Sequence, residues 1–200
     1  MRSKRKLSTV LFGTALVGLS VAGVASATTL NFEGLPDSTI LTTQFPGLTF
    51  SNTIILTSGI SLNEFEFPPH SGVNVASDNN GPITIDFSTP ITDFSGYFTY
   101  FEPLTLDGFD SSDTEVASVA SAFSTNDALF GDPGSSPNEF IQLSNAGGMS
   151  SVTITGDPGG GSFTMDDITY ISAVPEPRSI PLLITGAAGL LAAYFRRTRP

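Results

Sequence analysis

There is no cysteine among the 200 residues, no tryptophan, and one histidine, His70. Without thiols the chain has no disulfide frame, no thiolate zinc site and no cysteine nucleophile. Positive charge is confined to the two ends: Arg2, Lys4, Arg5 and Lys6 at the start, and Arg178, Arg196, Arg197 and Arg199 at the finish. Between Thr28 and Pro177 there is no Lys or Arg, and all 19 acidic residues fall in that stretch. The formal net charge of −11 therefore averages a basic rim and a very acidic middle. This excludes nucleic acid as a partner and excludes a polybasic membrane-surface patch within the middle, because both need Lys or Arg against phosphate. Phenylalanine is plentiful, 16 in all, and only Phe12 and Phe195 lie outside the middle. So many rings can build a core at no hydrogen-bonding cost, which argues for a folded segment despite its Gly, Ser and Pro content. The length fits one domain plus short extras, since compact domains run about 100 to 150 residues.

Residues 1–27 read as a signal peptide. A basic start is followed by an apolar run over 7–24, and Ala25, Ser26 and Ala27 give the small-x-small pattern read by signal peptidase, with the cut after Ala27. No adjacent Arg pair stands in the basic start, so general secretion is the expected route. At the other end, residues 180–195 are apolar, short for a membrane span but sufficient when flanking groups snorkel. The positive-inside rule holds Arg196, Arg197 and Arg199 in the cytoplasm and places the middle on the far side. This C-terminal helix would tie the protein to the membrane until it is processed.

Just before that helix stand Val174, Pro175, Glu176 and Pro177. The order of this motif, an apolar helix and a terminal arginine cluster over 173–200 resembles the PEP-CTERM sorting signal of bacteria that make exopolysaccharide. The resemblance implies recognition by an exosortase, a membrane protease-transpeptidase that acts near the Pro-Glu-Pro, and release to the cell surface or extracellular matrix. Pro175 and Pro177 forbid helix and hold Glu176 extended, a form that a protease can thread. Two departures are Arg178, where the family more often has Ser or Thr, and Pro181, which shortens the secure helix to Leu182 onward. A plain C-terminal anchor with a Pro-rich collar is the alternative.

Across 28–172 apolar residues recur at period two in short runs separated by Gly, Pro, Asn and Asp. The spacing predicts strands over 30–33, 48–51, 54–57, 83–87, 94–101, 104–109, 115–120, 140–143, 152–155 and 163–171. Ten or so strands in one domain predict an all-β, jelly-roll-like antiparallel β-sandwich. Ile83, Ile85 and Phe87 alternate with Thr84, Asp86 and Ser88, one face buried and one wet. The run 94–101 carries aromatic rings on both faces near its end, so it is either covered on both sides or shows rings to a ligand. Stretches 131–138 and 156–162 read as loops, and the three glycines 159–161 as a hairpin tip. The acid-rich stretch 107–115 lacks EF-hand spacing and reads as a hairpin turn of Asp and Ser.

Chemistry-bearing residues are few. His70, within Pro68, Pro69, His70, Ser71 and Gly72, is the sole imidazole base, and no serine sits in a nucleophile elbow. It reads as an exposed loop histidine, and the protein as a non-enzyme. A secreted glycoside hydrolase using two carboxylates stays as an alternative, since their separation is a three-dimensional fact. The donors suit hard cations, Ca²⁺ above all. Asn31, Phe32, Glu33, Gly34 and Thr164, Met165, Asp166, Asp167, Ile168 are similar to the two ends of jelly-roll carbohydrate-binding modules, where acids on the first and last strands share a structural calcium. The resemblance implies Glu33 and Asp167 as ligands, with Asp166 behind them; the alternative is that both acids face solvent. Tyr97, Tyr100 and Phe101, with Tyr170, are candidate platforms for stacking a sugar. An acidic domain would bind neutral glycans, or acidic ones only through bridging Ca²⁺. The combined expectation is an exported, exosortase-sorted, non-catalytic surface or matrix protein associated with exopolysaccharide. The alternative is a calcium-dependent carbohydrate-binding or adhesive module.

Overall fold

Alternating apolar and polar residues give ten strands and no helix among residues 26–173, the part of the chain that the computed structural model describes. The strands are β1 (Ala27–Leu30), β2 (Ile40–Leu41), β3 (Leu48–Ser51), β4 (Thr53–Thr57), β5 (Asn74–Asn79), β6 (Ile83–Tyr100), β7 (Thr105–Phe109), β8 (Glu115–Ala120), β9 (Glu139–Thr155) and β10 (Gly160–Ser172). All of their pairings are antiparallel. Ala25, the motif Val174, Pro175, Glu176, Pro177, the apolar stretch 180–195 and Arg196 and Arg197 lie outside the described residues. Within them, no helix is long and apolar enough to cross a membrane.

The predicted pairs 83–87 with 94–101, and 140–143 with 152–155, are each one long strand, β6 of 18 residues and β9 of 17. Strands this long bend where their pairing slips, and β6 and β9 slip against each other between Asp86 and Ile91 and again before Asp93. Pro90, which has no N–H for a ladder, sits in that slip, and Gly148 takes a φ of 90° opposite it. The first part of β6 therefore pairs with β3 and the end of β9, while its second part pairs with β10 and the start of β9. The strand path β2-β4-β5-β10-β6-β9-β7-β8 folds at these bends into two layers, β2-β4-β5-β10-β6-β9 and β3-β6-β9-β7-β8. β1 pairs with β10 over 168–171, beyond the part that β5 occupies.

One apolar core joins the layers. Ile83, Ile85 and Phe87 from the first part of β6 pack in the same cluster as Phe94, Phe98 and Tyr100 from its second part. The layers approach closely at Gly108 on β7, where a Cβ would collide with Met149 and press on Leu143 at 3.2 Å. This is the expected jelly-roll-like antiparallel sandwich. Three details differ from the sequence expectation. Strand 30–33 is displaced to Ala27–Leu30, after which Phe32 turns at φ 59° to bury its ring. Strands β2 and β5 were not predicted. β5 reads Asn-Val-Ala-Ser-Asp-Asn and shows no alternation because it is buried on both sides, outside the core by residues 58–73.

Candidate ligand-binding face

The pleat of β6 turns Phe94, Phe98 and Tyr100 into the core and Ser95, Tyr97 and Thr99 to the other side. On β9, Ile141 and Leu143 point inward, and Phe140, Gln142 and Ser144 are exposed. Tyr97 is thus flanked by Phe140 across one pairing and by Asp166 across the other. The Tyr97 and Phe140 rings lie 5.4 Å apart, and Phe140 is 54% exposed. His70 stacks flat on Tyr97, with centroids 3.4 Å apart and planes 8° from parallel. Beside the rings runs a polar row. Asp93 Oδ1 accepts from the Ser144 hydroxyl at 2.7 Å and the Gln142 amide at 3.2 Å. The Thr29 and Thr169 hydroxyls share a 2.7 Å hydrogen bond.

Three acids anchor the segment 70–74 that carries the histidine. The pairing of β10 with β6 slips between Asp166 and Thr169, and Asp167 takes a φ of 46° there. This bulge turns two consecutive acids toward one segment where a regular strand would send them to opposite faces. Asp167 Oδ2 lies 2.7 Å from His70 Nδ1, and its Oδ1 accepts from the Ser71 hydroxyl at 3.0 Å. Asp166 accepts from the Ser71 and Asp167 N–H groups at 2.8 and 2.7 Å. Glu33 Oε1 accepts from the Val73 and Asn74 N–H groups at 2.8 and 2.9 Å. Between these anchors Gly72, at φ 58°, leaves room for the Glu33 carboxylate, which a Cβ would strike. Burial pushes the Asp166 carboxyl up to about 6, with the Asp167 charge adding to the rise and hydrogen bonds from Ser71 and Asp167 opposing it.

The sequence-predicted residues divide as follows. Glu33, Asp166 and Asp167 meet one short segment, Glu33 at its 73–74 end and the two aspartates at its 70–71 end, and accept backbone and side-chain hydrogen bonds there. Among the described residues no group of three His, Asp or Glu side chains is gathered as a metal site. Ser71, His70 and Asp167 do not form a nucleophilic relay, since the serine hydroxyl bonds the same carboxylate that holds the imidazole. Of the platform residues, Tyr97 is on the open face. Tyr100 is not: it is fully buried, its hydroxyl donates to Glu139, and burial raises its pKa to about 12. Phe101 is 38% exposed, just past the end of β6, and packs edge-on to Phe67 at 4.6 Å. Tyr170 turns toward the core against Phe87 at 5.4 Å. Sequence reading missed two of the three rings. Phe140 carries a usable signal, since it keeps phase with Gln142 and Ser144 and opposes Ile141 and Leu143. His70 carries none, because its partner lies 97 positions away.

No protein-family model matches this chain, and no curated protein does. Among solved structures, the K2 cleaved adhesin domain of Lys-gingipain is similar at 16% identity and a TM-score of 0.46, over 72% of this chain and 99% of that one. A family 29 carbohydrate-binding module is similar at 11% identity and a TM-score of 0.41, over 76% of this chain and 91% of that one. A family 61 module solved with β-1,4-galactotriose is similar at 13% identity and a TM-score of 0.35, over 64% of this chain and 90% of that one.

Proposed function

We propose that the protein is an exported, exosortase-sorted surface or matrix protein whose sandwich binds neutral polysaccharide without catalysis. The observation that carries the binding half is the set of rings of His70, Tyr97 and Phe140 beside the polar row of Asp93, Gln142 and Ser144 on one solvent-facing sheet surface. Pyranose rings offer apolar C–H faces for stacking and hydroxyls for hydrogen bonds, and this surface offers partners for both. The absence of Lys and Arg from 28–177 supports an uncharged ligand. The sorting half is supported by the order of the Pro-Glu-Pro motif, apolar stretch and arginines at the chain end.

Affinity electrophoresis in gels cast with neutral β-glucans, galactans or xylans tests the binding half, using the compact unit Val24–Val174. Retardation by one polymer, lost in Phe140→Ala and Tyr97→Ala with the melting temperature kept, is the expected result. Equal mobility of wild type and both variants in every gel refutes it. For sorting, replacing Pro175, Glu176 and Pro177 by alanine should leave the protein in the membrane fraction of an exosortase-bearing host; unchanged release to the surface refutes that half.

The expectation of calcium at Glu33, Asp166 and Asp167 has a separate test. Hard oxygen donors and the like charge of neighbouring Asp166 and Asp167 favour a divalent ion, whereas the hydrogen bonds those oxygens accept oppose it. A native-state ion at a hundred times its dissociation constant stabilises by about 2.7 kcal/mol. A melting temperature raised in millimolar Ca²⁺ over EDTA, with the rise lost in Glu33→Ala and Asp167→Ala, establishes the ion. Coincident melts remove it.

A further inference from the structure

Strand register sets the outward residues of four strands in a row across the sheet. Gln142 of β9 is opposite Ser95 of β6, Ser95 is opposite Thr169 of β10, and Thr169 is opposite Thr29 of β1. The adjacent pair Phe94 and Tyr170 turns to the core, which sends Ser95 and Thr169 outward. Thr29 shares that side, since its hydroxyl meets the Thr169 hydroxyl, and the Gln142 amide reaches Asp93 there. Each member of the row brings a hydroxyl or an amide and no charge. Paired strands lie about 4.7 to 4.9 Å apart, so these groups recur at that interval over four strands. Along one side of the row stand the rings of Phe140 and Tyr97, with His70 stacked on Tyr97. Along the other is Asp93, whose Oδ1 is held by Gln142 and Ser144.

A polymer on this face could run along β6 or across the strands, and the two tracks differ. Along β6 the outward residues recur at every second position, about 6.6 Å apart. That track closes at Thr99, which is fully buried and whose hydroxyl accepts from the Asn138 N–H at 2.9 Å. The Asn138 amide in turn donates to the Pro68 carbonyl at 3.0 Å, so the segment that carries His70 roofs the end of the track. Across the strands the interval is close to the advance per sugar of an extended β-1,4-linked pyranose chain, and both end residues, Gln142 and Thr29, are exposed. A coiled α-1,4-linked chain turns its successive hydroxyls away from such a straight row. A chain of uronic acids would set carboxylates beside Asp93, with no Lys or Arg from 28 to 177 to offset the repulsion.

We infer that the polysaccharide lies across the strands over Gln142, Ser95, Thr169 and Thr29, one sugar to a strand, so that the site takes an extended, neutral β-1,4-linked chain with four sugars in contact. This rests on the glycan-binding reading above and adds the direction, length and linkage of the ligand. The test is calorimetric titration of the protein with β-1,4-linked oligomers of glucose, mannose, xylose and galactose, two to six units long, and with the α-1,4-linked glucose hexamer. In at least one β-1,4 series, affinity should rise with each unit up to four and then level off, while the α-1,4 hexamer binds at least about tenfold more weakly. Thr29→Val should weaken the β-1,4 hexamer by about threefold to tenfold, as one hydrogen bond contributes, and move the plateau from four units to three. Thr29→Ser, which keeps the hydroxyl, should restore both. If Thr29→Val lowers the melting temperature, Gln142→Ala at the opposite end of the row gives the same reading. A plateau at two units, affinity indifferent to both end variants, equal binding of the α-1,4 hexamer, or no β-1,4 series binding although a gel polymer retards the protein would overturn the inference. In each of those cases retardation lost in Phe140→Ala and Tyr97→Ala would leave glycan binding standing. No binding by any oligomer or gel polymer would remove both together.

Discussion

The acidic residues of this domain act chiefly as acceptors for its own backbone. With no Lys or Arg from 28 to 177, carboxylates find N–H groups in place of cations. Asp78, 3% exposed, accepts from the Ser162 and Phe163 N–H groups and the Ser162 hydroxyl, all within 3.0 Å. Asp127 takes the Leu129 and Phe130 N–H groups at 3.0 and 2.7 Å, and Asp132 the Ser124 N–H at 2.8 Å. Asp78→Asn turns an amide NH₂ toward buried donors and should lower stability by about 2 to 4 kcal/mol, read from the urea midpoint. An unchanged midpoint would show that these bonds contribute nothing net. Tyr100 gives a pH dependence of stability. Its folded pKa is about 12 against 10 unfolded, so between those values the native state binds more protons than the unfolded chain. Stability should therefore fall as pH rises from 10 toward 12, and Tyr100→Phe should remove that part of the slope. A slope unchanged in the variant assigns the loss to other groups. Tyr100 also marks where single residues were illegible in sequence. Alternation along 94–101 identifies two faces, but only the second layer decides that the Tyr100 side is the inner one.

At the level of strands, most of the sandwich could be read and its joints could not. β3 and β8 have the predicted bounds: Leu48 and Phe50 alternate with Thr49 and Ser51, and the run 115–120, rich in Val and Ala, is bounded by the Asp and Ser turn before it. β6 and β9 were each read as two strands because Pro90 and the glycines 147–148 interrupt the period, which in three dimensions marks a bend within one strand. The bulge at Asp167 was equally hidden, since regular alternation does not place Asp166 and Asp167 on one side. The segment 70–74 depends on that bulge. Gly72→Ala would place a methyl group on the Glu33 carboxylate at a backbone φ of 58°. The expected outcome is faster hydrogen exchange at the Val73 and Asn74 N–H groups and weaker retention of glycan through a displaced His70. Protection equal to wild type would mean that Glu33 is not the anchor. Glu33→Gln, which keeps the oxygen acceptor, should behave nearly as wild type in exchange.

For the whole molecule, charge governs association. A domain whose surface carries acids and almost no cations repels its own copies at low ionic strength and less so as salt screens the field. It should be monomeric in dilute buffer and associate in high salt or Ca²⁺; an oligomer of fixed size at every salt concentration in light scattering would contradict this. The exposed rings bear on the same question. Phe65 and Phe130 are 75% and 72% exposed on segments joined by the Ala128 N–H to Glu66 C=O bond, and self-repulsion keeps such rings apart. Composition alone showed this balance, whereas the ring surface around Tyr97 required His70 and Asp167 to be brought together from distant positions.

The pairing of β1 with β10 brings Ala27 opposite Ile171, so the chain enters and leaves the sandwich side by side. Mechanical load would then act on it in two unlike ways. Tension between the two chain ends would peel β1 from β10 one hydrogen bond at a time, at low force. A domain tethered at its C-terminal end and gripped at the Tyr97 rings would be pulled along β10 against β6, loading many hydrogen bonds together. Load in the second direction would therefore meet far greater resistance than load in the first.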